Sequence, residues 1–257
     1  MNYQNILLSF DDGVAIIKLN RPKFLNALNR ELMKELADCI EKLENDKSVK
    51  IIIITGNEKA FAAGADLNEF YNKTPNEMFE SYRFLEWERV YKCFKPLIAS
   101  VSGYALGGGF ELAMICDMII ASDSAIFGQP EINVGLMPGA GGTQRLTKII
   151  QKHKAMEYIL SGKYIDVWTA YKLGIVNKIV PTEIYLEMTI KFAKEFLNKP
   201  PISLNIAKDS IKISYELNLQ EGLEYERRMF YYLFSTRDSM EGISAFLEKR
   251  KPNFKGE

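Results

Sequence analysis

Apolar positions along this chain recur with two periods, and the two alternate. Val14-Ala-Ile-Ile-Lys-Leu19 is a short β-branched run that predicts a strand, ended at Asn20-Arg-Pro22. Leu32, Leu36, Ile40 and Leu43 then keep helical spacing. Asn29 stands where a helix N-cap belongs, and Leu28 and Met33 flank it as the halves of a hydrophobic staple. After the turn Asn45-Asp-Lys-Ser48, the run Lys50-Ile-Ile-Ile-Ile-Thr55, closed by Gly56, has the length and branching of a buried strand. Leu97–Gly103 and Met118–Ser122 repeat that pattern. Strands alternating with helices indicate an α/β fold. Beyond about Pro181 the β signals thin out. Segments 183–198, 203–217, 219–235 and 239–250 all carry a helical pattern, and Asn198-Lys-Pro-Pro201 is a break. There is no fixed-period repeat and no low-complexity stretch.

Two glutamates interrupt segments that otherwise read as buried. Glu111 lies in Gly103-Tyr-Ala-Leu-Gly-Gly-Gly-Phe-Glu-Leu112, and Glu131 in Phe127-Gly-Gln-Pro-Glu-Ile132. A carboxyl in apolar surroundings is costly. Two of them beside glycine or proline turns suggest an acid/base pair with perturbed pKa values. Three glycine-bearing turns accompany them. Phe61-Ala-Ala-Gly-Ala-Asp-Leu67 follows a strand, and its small residues let a ligand approach the backbone. Alone it reads equally as a tight strand-to-helix turn capped by Asp66. Gly107-Gly-Gly109 precedes an expected helix from Phe110, whose free N–H groups could hold an oxyanion. Alone it reads as close packing of helix on strand. Pro138-Gly-Ala-Gly-Gly-Thr143 fits neither the dinucleotide nor the P-loop pattern. It reads as a loop into a helix N-cap at Thr143, lining the site.

Composition narrows the classes. The 257 residues are 47% hydrophobic and 26% charged, enough for a large core; one domain with an appendage fits as well as two domains. Lys+Arg and Asp+Glu are each 33, so nothing marks a nucleic-acid or membrane surface. The three cysteines, Cys39, Cys93 and Cys116, are widely spaced, and read as free core thiols in a reducing compartment. The only histidine, His153, sits in a solvated stretch, which leaves a Ser-His-Asp triad or a His-based metal site without support. Met1–Ile6 has no leader pattern, and the apolar run from Ala113 to Ala121 is broken by Asp117 and too short to span a bilayer. The expectation is a soluble cytoplasmic protein; a mature organellar form has the same appearance.

These segments together resemble the enoyl-CoA hydratase (crotonase) family. The matching stretches are Arg21-Pro-Lys with Leu25-Asn-Ala-Leu28, Phe61–Leu67, Gly103–Leu112, Phe127–Glu131, Pro138–Leu146, Gly174-Ile-Val-Asn177 and the tail from Glu241 to Gly256. The resemblance covers essentially the whole chain. It implies a spiral of repeated ββα units over residues 1–197, then a C-terminal helical trimerisation region over 198–257. It implies a homotrimer or homohexamer and a coenzyme A thioester ligand, bound bent, with the adenine near the Ala62-Ala63 backbone. The matching oxyanion donors are the N–H groups of Ala65 and Gly108. Glu111 and Glu131 match the two catalytic carboxylates. Having both favours addition of water to a trans-2-enoyl-CoA, with no metal and no cofactor beyond the coenzyme A of the substrate.

Ala63, Asp66, Leu67 and Asn68 fall at substrate-binding positions by the same resemblance. Many hydratases carry a lysine where this chain has Asn68, which shifts contact with the phosphates to Lys23 or Lys255. Phe254 and Lys255 would reach a neighbouring subunit's ligand. The acyl wall is expected from 70–90 and from Val134, Leu136 and Met137. The chain is similar to short-chain and β-oxidation hydratases and to the dehydroadipyl-CoA hydratase of phenylacetate catabolism. A Δ3-Δ2-enoyl-CoA isomerase is the alternative of the same fold. An RNA-binding relative is a third, against which the zero net charge weighs.

Overall fold

Each repeat of the chain lays one strand into each of two sheets. The structure is a computed structural model describing residues 3–257; Met1 and Asn2, the start of the segment read for a leader, lie outside the described residues. Strands β1 (Ile6–Asp11) and β2 (Val14–Leu19) form a hairpin. Its turn residues Asp12 and Gly13 both have positive φ, 44° and 81°, the twist-matched two-residue connection. Helix α1 (Arg30–Glu44) follows, then β3 (Ile51–Thr55), β4 (Ala60–Ala62), α2 (Pro75–Glu80) and α3 (Leu85–Tyr91). The next repeat is β5 (Leu97–Val101), β6 (Tyr104–Leu106) and α4 (Gly108–Ile115). The third is β7 (Met118–Ser122), β8 (Ile126–Gly128), α5 (Gly142–Ile150) and α6 (Lys152–Ser161).

The first strand of each repeat joins a six-stranded sheet, completed by the later strand β10 (Lys178–Val180), in the order β1-β2-β3-β5-β7-β10. The second strand joins a four-stranded sheet, order β4-β6-β8-β9, where β9 is Tyr164–Asp166. Every pairing between successive repeats is parallel, with Ile53 opposite Ile98 and Ala105 opposite Phe127. Stepping one place along both sheets per repeat is the spiral of ββα units that the sequence led us to expect.

Strands β3 and β5 are buried at every residue, as continuous apolar runs of a sheet covered on both faces should be. Alternation divides them. Ile52, Ile54 and Ala99 enter the main core with the buried stripe of α1. Ile51, Ile53 and Ile98 face the other way, into a second core under α8 (Tyr185–Lys194), which follows α7 (Val167–Lys172). The Asn29 side chain accepts from Leu32 N at 3.0 Å, so the expected cap is in place. One cap is not where expected. Helix α5 begins at Gly142 behind Gly141, whose φ of 109° suits glycine, and Thr143 lies inside the first turn. Gly142 N–H has another use, described below.

Beyond residue 198, α9 (Pro201–Ile213), α10 (Leu219–Leu233) and α11 (Arg237–Leu247) bury only Asp238 and Ala245. Lys208 anchors α9 through an ion pair to Asp117 at 2.7 Å. Cys39, Cys93 and Cys116 are buried and free. Among the described residues no helix is long and apolar enough to cross a membrane.

Candidate active site

The loop after β4 and the start of α4 each leave a backbone donor unused, and they do so side by side. Leu28 N donates to Gly64 O at 2.8 Å, Ala63 N to Leu25 O at 3.0 Å, and Asp66 N to Leu28 O at 3.1 Å. Ala65 is thus held on both sides, yet its own N–H has no hydrogen-bond partner among the described residues. Gly107 turns the chain out of β6 with φ 50° and ψ −126°, and its N–H donates to Gly128 O at 2.9 Å. The N–H of Gly108, the first residue of α4, also has no partner among the described residues. A Cβ placed on Gly108 would stand 3.5 Å from Ala65 N, so the two donors flank one small space. The positive end of α4 adds to its potential. Glycine at 109 lets α4 come this close: a Cβ there would meet Ala62 O at 2.0 Å.

Glu131 borders that space, and Glu111 lies close enough for its charge to act on Glu131. Glu111, in the first turn of α4, is 3% exposed, and its Oε1 accepts from Ala140 N at 2.8 Å and Gly142 N at 2.7 Å. Burial pushes its carboxyl upward; the two N–H groups and the nearby Arg145 charge pull it back without cancelling the rise. Glu131, in a 3-10 turn over Pro130–Val134, lies against the glycine turn: a Cβ on Gly107 would be 2.9 Å from Glu131 Oε1. The same Cβ would be 3.8 Å from Gly64 Cα, which puts Glu131 beside both donor loops. Burial pushes Glu131 up to about 7, and the neighbouring Glu111 charge adds to the rise. Gln129, 1% exposed, lies against Glu131; with its NH2 toward the carboxyl, Nε2 donates to Oε1 at 3.0 Å and Oε2 at 3.2 Å. The set is therefore one carboxyl pinned by fixed donors, a second poised near neutrality, and an anion cradle beside the second.

Residues 9–257 match the family model for enoyl-CoA hydratase/isomerase. This chain belongs to the enoyl-CoA hydratase/isomerase family. It is 45% identical over 254 residues to a probable enoyl-CoA hydratase of Mycobacterium tuberculosis, covering 99% of each chain. It is 43% identical over 251 residues to the 2,3-dehydroadipyl-CoA hydratase of Escherichia coli, covering 98% of each. The crystal structure of an enoyl-CoA hydratase subunit from Geobacillus kaustophilus superimposes with a TM-score of 0.97 at 43% identity, covering 99% of each chain. The crotonase fold expected from the sequence is shown by these neighbours.

The remaining positions suggested by the family resemblance are spread unevenly. Lys23 is exposed on a 3-10 turn over Pro22–Phe24, in the segment that bonds to Ala63–Asp66. Leu67 and Asn68 are exposed just beyond, while both Asp66 oxygens are occupied, Oδ2 by Arg21 at 3.0 Å and Oδ1 by Asn68 Nδ2 at 3.0 Å. Phe254 and Lys255 lie elsewhere, in the tail packed against α11: Lys255 N donates to Asp238 Oδ1 at 2.7 Å, and the Phe254 ring packs against Gly242. None of their described contacts within the chain involves either glutamate. The sequence reading missed Gln129, although a polar residue between Phe127-Gly and Pro-Glu was its available signal. It also missed the N–H donors at Ala140 and Gly142, because a backbone donor leaves no trace in side-chain identity. Among the described residues no His, Cys, Asp and Glu side chains gather in a group that could hold a metal.

Proposed function

We propose that this chain adds water reversibly to a trans-2-enoyl-CoA, giving a 3-hydroxyacyl-CoA. The observation that carries this reading is a pair of glutamates in one site with two N–H groups that have no partner among the described residues. In the conjugated thioester, attack at the β-carbon drives negative charge onto the thioester oxygen. Ala65 and Gly108 N–H are placed to receive that charge, and losing one such donor typically costs about 3–4 kcal/mol. Glu111, held by donors that favour its charged form, orients one water and takes its proton. Glu131, near neutrality, gives its proton to the α-carbon. The C–O bond forms as the conjugated bond is lost, and the proton on Glu111 returns to Glu131 before the next cycle. A glutamate pinned by two N–H groups has a role in water addition that a one-carboxylate isomerase would not need.

Purified protein with crotonyl-CoA should lose the conjugated-thioester absorbance, and Glu131→Gln run beside it should not. Double-bond shift from a 3-enoyl-CoA, without oxygen uptake from labelled water, would instead mark an isomerase. Dehydroadipyl-CoA, crotonyl-CoA and longer enoyl-CoAs compared in the same assay assign the pathway between phenylacetate catabolism and β-oxidation. Phosphate contact by Lys23 and by Lys255 of a neighbouring subunit fits their exposure. A homotrimer or homohexamer joined through the C-terminal helices is supported by the exposed Phe230, Tyr231, Phe234 and Leu247. Three buried free thiols fit a cytoplasmic setting.

A further inference from the structure

The segment Arg21–Leu28 is folded more tightly than a connection between a strand and a helix requires. Leu25 and Asn26 both have positive φ, 48° and 57°, a strained conformation for residues other than glycine. Asn26 is fully buried and ties the bend from inside: Oδ1 accepts from Arg21 N at 3.0 Å, and Nδ2 donates to Ala60 O at 3.0 Å. The bend presents Leu25 and Leu28 to the loop Ala63–Asp66, where three backbone bonds join the two segments. Strain of this kind persists only where the surroundings over-determine it.

One ion pair closes the arrangement. Arg21 donates through Nη1 to Ala27 O at 2.5 Å and through Nη2 to Asp66 Oδ2 at 3.0 Å. Both side chains of the pair are only 12% exposed. Asp66 directly follows Ala65, whose N–H has no partner among the described residues and whose nitrogen would stand 3.5 Å from a Cβ on Gly108. A bare carboxylate at 66 would set a negative charge next to the position where the reaction develops another. With its guanidinium on the carboxylate, Arg21 cancels that charge, and with its second nitrogen it fixes the carbonyl before Leu28. A buried charge left without its partner is strongly unfavourable.

We infer that Arg21 is a positioning residue for the Ala65 oxyanion donor, acting through Asp66 by orienting the loop and neutralising its carboxylate. The inference rests on the hydratase reading above. Its contribution should appear when the thioester oxygen becomes charged, so it should lower kcat more than it changes KM. A small displacement of a catalytic donor can cost on the order of 10²-fold.

The test uses the full-length protein and four variants: Arg21→Met, Arg21→Lys, Asp66→Asn and the double Arg21→Met/Asp66→Asn. Hydration of crotonyl-CoA gives kcat and KM. In a Glu131→Gln background, the absorbance shift of bound 2,4-hexadienoyl-CoA reports polarisation of the thioester without turnover. Arg21→Met should lose on the order of 10²-fold in kcat with KM changed only a few-fold, and should show a smaller red shift. Arg21→Lys should recover part of both. The double variant should lose less than the two single losses multiplied together, because the uncompensated carboxylate is gone. If Arg21→Met does not fold, Arg21→Lys carries the test, since it keeps the charge but not the two-pronged reach.

Folded Arg21 variants with wild-type kcat and red shift would overturn the inference. So would an activity loss that follows only the folded fraction while the red shift stays intact. If the wild-type protein hydrates no trans-2-enoyl-CoA, the hydratase reading fails instead. The red shift needs only binding, so it still decides whether Arg21 shapes the cradle.

Discussion

Glu131 should make the protein less stable in exchange for its chemistry, and the amount follows from its surroundings. Its carboxyl is raised from an ordinary 4.5 to about 7 by burial and by the Glu111 charge. A raised value means that the fold prefers the neutral form. The associated stability is fully present below about pH 4.5 and is lost as pH rises through about 7. Each pKa step of one is worth about 1.4 kcal/mol, which bounds the loss at about 3 kcal/mol, and solvent reaching the half-buried carboxyl screens it below that. Glu131→Gln is neutral at every pH and keeps an oxygen acceptor beside Gln129. The two proteins should therefore unfold alike near pH 4.5 and diverge above it. By about pH 8.5 the variant should be more stable by up to about 3 kcal/mol, or at most roughly 6–12 °C in Tm for a chain of this size. Thermal scans of both proteins across that pH range, at one protein concentration, make the comparison. Parallel curves at all pH values would show that Glu131 is not held away from its charged form in the fold, and the assignment of a neutral proton donor would go with it.

Other expectations are simpler. Glu131→Gln and Glu111→Gln should each lower hydration of crotonyl-CoA by on the order of 10²–10⁴-fold while CoA-ester binding, followed by calorimetry, persists. Gly109→Ala should abolish stable folding, because its Cβ would meet Ala62 O at 2.0 Å; a normal thermal transition would refute the close approach of α4 to β4. Asn29→Ala should cost about 1 kcal/mol in urea unfolding through loss of the cap on Leu32 N, with kcat unchanged. For the native enzyme, kcat/KM for hydration should fall as pH rises above about 7, since Glu131 must carry the proton it donates.

Much of the fold could be read from periodicity. Strands β2, β3, β5 and β7 and helix α1 fell where β-branched runs and helical spacing placed them, because each buries a continuous face that composition records directly. The strands β4, β6, β8, β9 and β10 are three residues long, too short to carry a period, and exist through pairing with their neighbours. Strand β1 is a different case. Its Leu7 and Phe10 are exposed, so its alternation carries little apolar contrast, and only Asp12-Gly13 marked the hairpin. The N-cap at Thr143 failed because the glycines before it offered a conformation that needs no side-chain cap.

Residue identity by itself determined which groups can do the chemistry here: two carboxyls in apolar segments and three glycine-rich turns, with no histidine or cysteine cluster to compete. That information is local, since burial of a short segment and the need for glycine are written in the segment. Only the tertiary structure decided what those groups become. Glu111 is pinned by the N–H groups of Ala140 and Gly142, about thirty positions away, and its charge raises Glu131. Ala65 and Gly108 become a pair because Gly109 lets a helix close onto a strand from another repeat. Arg21 meets Asp66 across forty-five positions. Desolvation, charge proximity and donor direction are properties of positions in space, and they come into being only when distant segments share one core.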